Sequence, residues 1–160
     1  MPEHSIDLEQ WLDTFREATV ELAGGMLRFE GLPVPPPDKH GSGNHPGAYI
    51  GLFGDGDPMR LGISSTPQGC RALARGLLGL RFDSELSDQD VMDGCSEVIN
   101  ILAGKVKSRM MAHDGTLRLG LPIFLIGQIT VTANMDQATT EVRVGPVDCR
   151  LHVFRTRTAA

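Results

Sequence analysis

An α+β fold, with an antiparallel-rich sheet packed against long helices, is predicted by three observations. Residues 7–23 and a stretch from Asp88 to about Met110 carry apolar side chains at helical spacing. The last third of the chain alternates instead: ITVTANM and CRLHVF read as strands with one wet face. The 160 residues are enough for one domain, residues 1–160, with a sizeable core.

The elements follow in order. In DLEQWLDTFREATVELA, Leu8, Trp11, Leu12, Phe15, Val20 and Leu22 form the inward set. Asp7 and Gln10 have the spacing of a capping box, and Gly24-Gly25 is a stop signal. GLPVPPPDKHGSGNHPG, residues 31–47, is rich in Pro and Gly and reads as a flexible surface loop. AYIGLF and MRLGIS are short strands, and GDGDP between them makes a hairpin. Thr66 caps a second helix with Pro67 as its first residue. Ala72, Leu73, Leu77 and Leu78 are expected to face inward, and Gly79 ends the helix.

Ser87 and Asp90 make a second capping box, so the long helix begins at Asp88. Lys105, Lys107 and Arg109 suit its negative C-terminal end. Beyond it, TLRLG, LPIFLIG, ITVTANM, TEVRVG and DCRLHVF are strand-like, with a turn expected at Asp136-Gln137. Pro122 cannot donate to a sheet ladder, so a strand is expected to bend or start there.

Composition narrows the function classes. A net charge of -5 argues against nucleic acid or an anionic membrane as the main partner. No apolar run reaches the roughly 18 residues that span a bilayer. The opening MPEHSIDLEQW lacks a basic leader, so the expected location is the cytoplasm. Cys70, Cys95 and Cys149 are odd in number and far apart, which argues against a disulfide framework or a zinc site. Cys95 reads as a small buried hydrophobe. His4, His40, His45, His113 and His152 show no ligand spacing, so this chain is expected to bind no metal or cofactor.

The long helix carries the candidate site. With Asp93 at zero and about 100° per residue, Glu97 falls near 40°, Asn100 near 340°, Gly104 near 20° and Lys107 near 320°. Val91, Cys95, Val98, Ile99, Leu102 and Val106 occupy the opposite side. Most polar strips on helices are merely solvated. Two residues disturb that reading here. The short amide of Asn100 competes with the helix backbone, and Gly104 costs about 1 kcal/mol relative to alanine in mid-helix. Gly104 leaves a bare spot beside the acid and the amide, which a partner can approach closely.

The residues resemble the CheX branch of the CheC/CheX/FliY chemotaxis phosphatase family. Its pattern runs acid or serine, three residues, Glu, two residues, Asn, then about 21 residues and Pro. Here D-GCS-E-VI-N is followed by ILAGKVKSRMMAHDGTLRLGL and the proline, so Asp93, Glu97, Asn100 and Pro122 match position by position. The resemblance covers about residues 48–154 and is specific between 93 and 127. It implies a CheX-like fold and a phosphorylated, CheY-like response-regulator receiver as substrate. It also implies that the receiver supplies Mg2+ and a lysine at its aspartyl phosphate. Asn100 would then orient the attacking water, because an amide accepts one proton and donates elsewhere. Glu97 would pair with the receiver lysine. Asp93 would dock or support, with Gly104 and Lys107 on the same partner-facing strip, and Pro122 would shape the strand or loop behind the helix. The motif occurs once, and many members of this branch are dimers, so a homodimer is a further expectation. Two rival readings remain: a non-catalytic receiver-binding module, and an interaction module like those of the flagellar switch.

Overall fold

The computed structural model describes residues 6–25, 27–29, 45–81, 84–127 and 129–158. Among the described residues, three helices lie on one face of a six-stranded antiparallel sheet. The helices are α1 (Leu8–Gly25), α2 (Pro67–Leu78) and α3 (Asp88–Met110). The strands are β1 (Pro46–Phe53), β2 (Met59–Ser64), β3 (Arg118–Leu119), β4 (Ile123–Ile126), β5 (Met135–Val144) and β6 (Val147–Thr156). The sheet order is β3-β1-β2-β6-β5, and β4 also pairs with β1. This is the α+β architecture the patterning predicts.

The core lies between the two layers. Strand residues Ala48, Ile50, Leu61, Ile63, Leu151 and Val153 meet the apolar faces of the helices. α1 packs against β5, β6 and α3, while α3 lies over β1 and touches β2, β3 and β4. The other face of the sheet is lined by aromatic side chains. The ring of Tyr49 covers Gly62 so closely that a Cβ there would stand 2.3 Å from it. His152 stacks on Phe154 with an interplanar angle of 4°.

The caps expected for α2 and α3 form. The Thr66 hydroxyl accepts from the Gly69 amide, and Gly79 closes α2 in the left-handed region at φ 66. Ser87 and Asp90 complete a reciprocal capping box at the start of α3. At α1, Asp7 accepts from the Glu9 amide at 3.4 Å, while the Gln10 side chain turns to His113 instead of closing a box.

Several expectations are corrected. Val20 is 59 % exposed, because it falls outside the arc set by Leu8, Phe15 and Leu22. Thr19 takes the inward place, with its hydroxyl donating to the Phe15 carbonyl at 2.8 Å. Leu78 is 52 % exposed for the same angular reason, and the small residues Ala74 and Gly76 are buried instead. Gly24 and Gly25 are the last helical residues of α1, not a stop before its end. Pro46 and Gly47 belong to β1, not to a loop over 31–47. Residues 31–44 of that loop lie outside the described residues.

The largest correction concerns ITVTANM. It is not a strand: the Met135 amide closes a turn onto the Thr132 carbonyl, and β5 begins only at Met135. Asp136 and Gln137 lie inside β5, not in a turn. Asp136 pairs across the ladder with Arg155, whose guanidinium holds its carboxylate at 3.0 Å. The reversal comes at Gly145-Pro146, with Gly145 at φ 58.

Pro122 stands immediately before β4, as expected. The register gives the reason. Leu52 pairs with Leu119 and Tyr49 with Ile123, so three steps along β1 match four along the opposing chain. Gly120 still donates to the Gly51 carbonyl at 2.8 Å, which places the extra residue at Leu121-Pro122. This is a β-bulge, where a residue without an N–H leaves no ladder donor unpaired.

Candidate functional site

The strip on α3 forms because the helix is held from behind. Val98, Ile99, Leu102, Ala103 and Val106 are buried to 1 % exposure or less. Their burial fixes the rotation of the helix and turns Asp93, Glu97, Asn100 and Gly104 away from the sheet. Asp93 and Glu97 are exposed, while Asn100, Gly104 and Lys107 are half-buried. The five expected residues therefore share one face of one helix.

Their hydrogen bonding separates them. The Asp93 carboxylate accepts from the Gln89 side-chain amide at 2.8 Å, one turn earlier. Among the described residues, the side chains of Glu97, Asn100 and Lys107 make no hydrogen bond or ion pair. A carboxylate and an amide one turn apart are thus both free to bind something else. Nothing lies within 4 Å of a Cβ built on Gly104, so the surface there is open.

The neighbouring cations differ from Lys107. Lys105 reaches Glu21 of α1 at 3.0 Å, and Arg109 pairs with Glu21 and with Glu17. The hydrogen bond from Lys105, with its positive charge, holds the Glu21 carboxyl below its ordinary range. Two of the three basic residues predicted to serve the helix end therefore clamp α3 to α1.

Pro122 does not sit on the strip. It is half-buried in the bulge between β3 and β4, the two strands that pair with the outer side of β1 and touch α3. A cleft of about 580 Å3, lined by Trp11, Asp55, Asp57, His113, Asp114 and Arg155 among others, lies off the strip. Two of its acids are used internally: Asp114 accepts from the Asp55 amide and from Thr116, and Asp57 from Thr158. Among the described residues, no group of three or more His, Cys, Asp or Glu side chains is arranged to hold a metal.

Sequence reading missed what sets the helix pair. Gly94 lies against α2, where a Cβ would stand 2.7 Å from the Ala74 methyl. The three cysteines, distant in sequence, also converge on this region. The Cys95 thiol donates to the Cys70 carbonyl at 3.4 Å. A glycine on the flank of α3 and a cysteine on each helix were the available signals. Neither has a helical-wheel signature of its own.

Comparison with known proteins gives the class. Residues 46–142 match the family Chemotaxis phosphatase CheX, and the chain belongs to that family. No curated protein sequence matches the chain. Solved structures share the fold at low identity. The chemotaxis protein CheX of Desulfovibrio desulfuricans is 18 % identical, with a TM-score of 0.69 over 90 % of this chain and 97 % of that one. The CheX of the Borrelia burgdorferi CheX–CheY–BeF3–Mg2+ complex is 17 % identical, with a TM-score of 0.66 over 96 % of this chain and 100 % of that one. FliY of Thermotoga maritima is more distant, at 13 % identity and a TM-score of 0.56, covering 91 % of this chain and 84 % of that one.

Proposed function

We propose that the chain hydrolyses the aspartyl phosphate of a CheY-like receiver domain, with the outer strip of α3 laid across the receiver's site. The observation that carries this reading is the pair Glu97 and Asn100: two polar side chains on a rigid helix, one turn apart, with no partner among the described residues. Membership of the CheX family supports it, as does a relative crystallised with CheY, BeF3 and Mg2+.

Phosphoryl transfer needs positioning and electrostatics more than new chemistry. Asn100 holds the attacking water through its amide oxygen and donates with its NH2. Glu97 pairs with the receiver's lysine and fixes the insertion. Asp93, oriented by Gln89, contacts the receiver, Gly104 admits close approach and Lys107 adds a cation at the far end. Pro122 acts indirectly, by shaping the strand beside the helix. Any Mg2+ belongs to the receiver.

A homodimer completes the proposal. β4 is paired on one side only, and LPIFLI around it carries no charge, with Leu121 86 % and Ile126 80 % exposed. Such an edge suits pairing with a second copy. Light scattering gives the dimer mass for the native chain and the monomer mass for Ile126→Lys. A monomer in both removes this part of the proposal.

Phosphate release from a phosphorylated receiver tests the activity. Asn100→Ala is expected to lose about a hundred-fold in turnover while keeping most of its binding. Glu97→Ala loses binding as well. A chain that binds the receiver without accelerating release is a reporter or switch module instead.

A further inference from the structure

We infer that Cys70 and Cys95 are an oxidisable thiol pair, joined by peroxide into a disulfide that ties α2 to α3 and slows turnover at the strip. The second half rests on the phosphatase reading, whereas formation of the bond does not.

The geometry is that of two helices in contact at small residues. Gly94 against Ala74 brings the α2 and α3 backbones together. Immediately beside that contact, the Cys95 sulfur lies 3.4 Å from the Cys70 carbonyl oxygen. The Cys95 thiol thus reaches the backbone of Cys70, the kind of approach a disulfide requires, with its Cα atoms about 7 Å apart or less. The third thiol, Cys149 on β6, is buried too but engages Ser65.

The two sulfurs are unequal. The hydrogen bond from Cys95 pulls the Cys70 thiol below its ordinary range, against the effect of burial. The same contact and burial push Cys95 up. Cys70 is therefore the attacking sulfur and Cys95 the resolving one. The Cys70 thiolate attacks one peroxide oxygen and the O–O bond breaks. This gives a sulfenic acid, and the departing hydroxide takes a proton to become water. The Cys95 sulfur then attacks the Cys70 sulfur, the S–O bond breaks, and the hydroxide leaves as water with the Cys95 proton. Two thiols and one peroxide give one disulfide and two waters. Both sulfurs are only 2 % exposed, so the reaction proceeds through local opening of α2 from α3.

The link to function is position along α3. Cys95 lies midway between Asp93 and Glu97 in sequence, on the opposite side of the helix. A covalent tie to α2 shifts the first half of α3, and about 1 Å of misplacement is enough to cost on the order of a hundred-fold in a positioned reaction.

The test treats the folded full chain with hydrogen peroxide, alkylates it under denaturing conditions and reads its mass and linked peptides. The expected product has lost two hydrogens, carries a Cys70–Cys95 linked peptide and is alkylated at Cys149 alone. Cys70→Ala and Cys95→Ala each abolish the link. Alkylation of all three thiols, or a link through Cys149, overturns the pair. Phosphate release from a phosphorylated receiver then falls at least ten-fold on oxidation and recovers with dithiothreitol. An unchanged rate in the linked chain overturns the regulatory half. A reduced chain with no activity at all counts against the phosphatase reading and leaves the disulfide standing.

Discussion

Gly94 of α3 rests on Ala74 of α2 at a distance no side chain can share, since its Cβ would stand 2.7 Å from one Ala74 carbon and 3.0 Å from its Cα. The close helix pair beneath the strip depends on that missing methyl. Gly94→Ala is therefore expected to destabilise the fold. Overpacking costs about 1–3 kcal/mol, offset by about 1 kcal/mol of helix propensity. A lowered urea midpoint checks it. An unchanged midpoint means that α2 can slide aside without penalty.

Gly104 is predicted to behave in the opposite way. Its Cβ position is empty, so Gly104→Ala stabilises by up to about 1 kcal/mol. If a receiver approaches this spot closely, the same substitution weakens binding. Urea unfolding and receiver affinity measured on one variant separate the two effects. Gained stability with unchanged affinity removes Gly104 from the interface.

His152 makes stability sensitive to acid. Its Nε2 pairs with the Ser64 hydroxyl at 2.8 Å, and its Nδ1 is buried without a partner. Burial, helped by the nearby Arg150 charge, pulls its pKa down from 6.5 to about 4. The unfolded chain therefore binds a proton more readily than the folded one. The neutral ring carries no penalty above about pH 6.5, and the penalty grows as pH falls towards 4, reaching about 3 kcal/mol. His152→Gln should flatten this part of the stability profile. Wild-type and variant curves that stay parallel from pH 6.5 to 4 contradict the assignment.

The α1–α3 clamp is expected to be weak and salt-sensitive. Glu21 holds Lys105 and Arg109 at the surface. Glu21→Gln should lower the melting temperature slightly in dilute buffer and hardly at all in 1 M salt. An equal loss at both ionic strengths indicates a packing role for the side chain instead.

The parts legible in the sequence were those governed by local rules. Ser87 with Asp90, and Thr66 with Pro67, fixed the helix starts because capping depends on adjacent backbone. The strip was legible because one rigid period relates Asp93 to Gly104. The failures came where a distant partner decides. Asp136-Gln137 has turn composition, yet Arg155 from β6 draws Asp136 into the ladder. Gly94 and the meeting of Cys70 with Cys95 depend on how two helices cross, which neither helix encodes alone. Glu97 and Asn100 drew notice by residue type and spacing, but only the folded chain shows that neither side chain has a partner among the described residues.

The bulge at Leu121-Pro122 makes the sequence distance from α3 to the sheet edge a mechanical constant. One surplus residue there inverts the facing of everything after it. Leu119 shares its side of the sheet with Leu52, while Ile123, an even number of positions later, sits opposite Tyr49 on the other side. Removing Leu121 would restore a plain ladder with Ile123 still opposite Tyr49, whereas the full sequence laid down without a bulge would turn Phe124 and Ile126 to the other side. The spacing between Asn100 and Pro122 is then not a signature of chemistry. It is the length of chain needed to finish a helix, turn back, and lay down an outer strand with the correct side up.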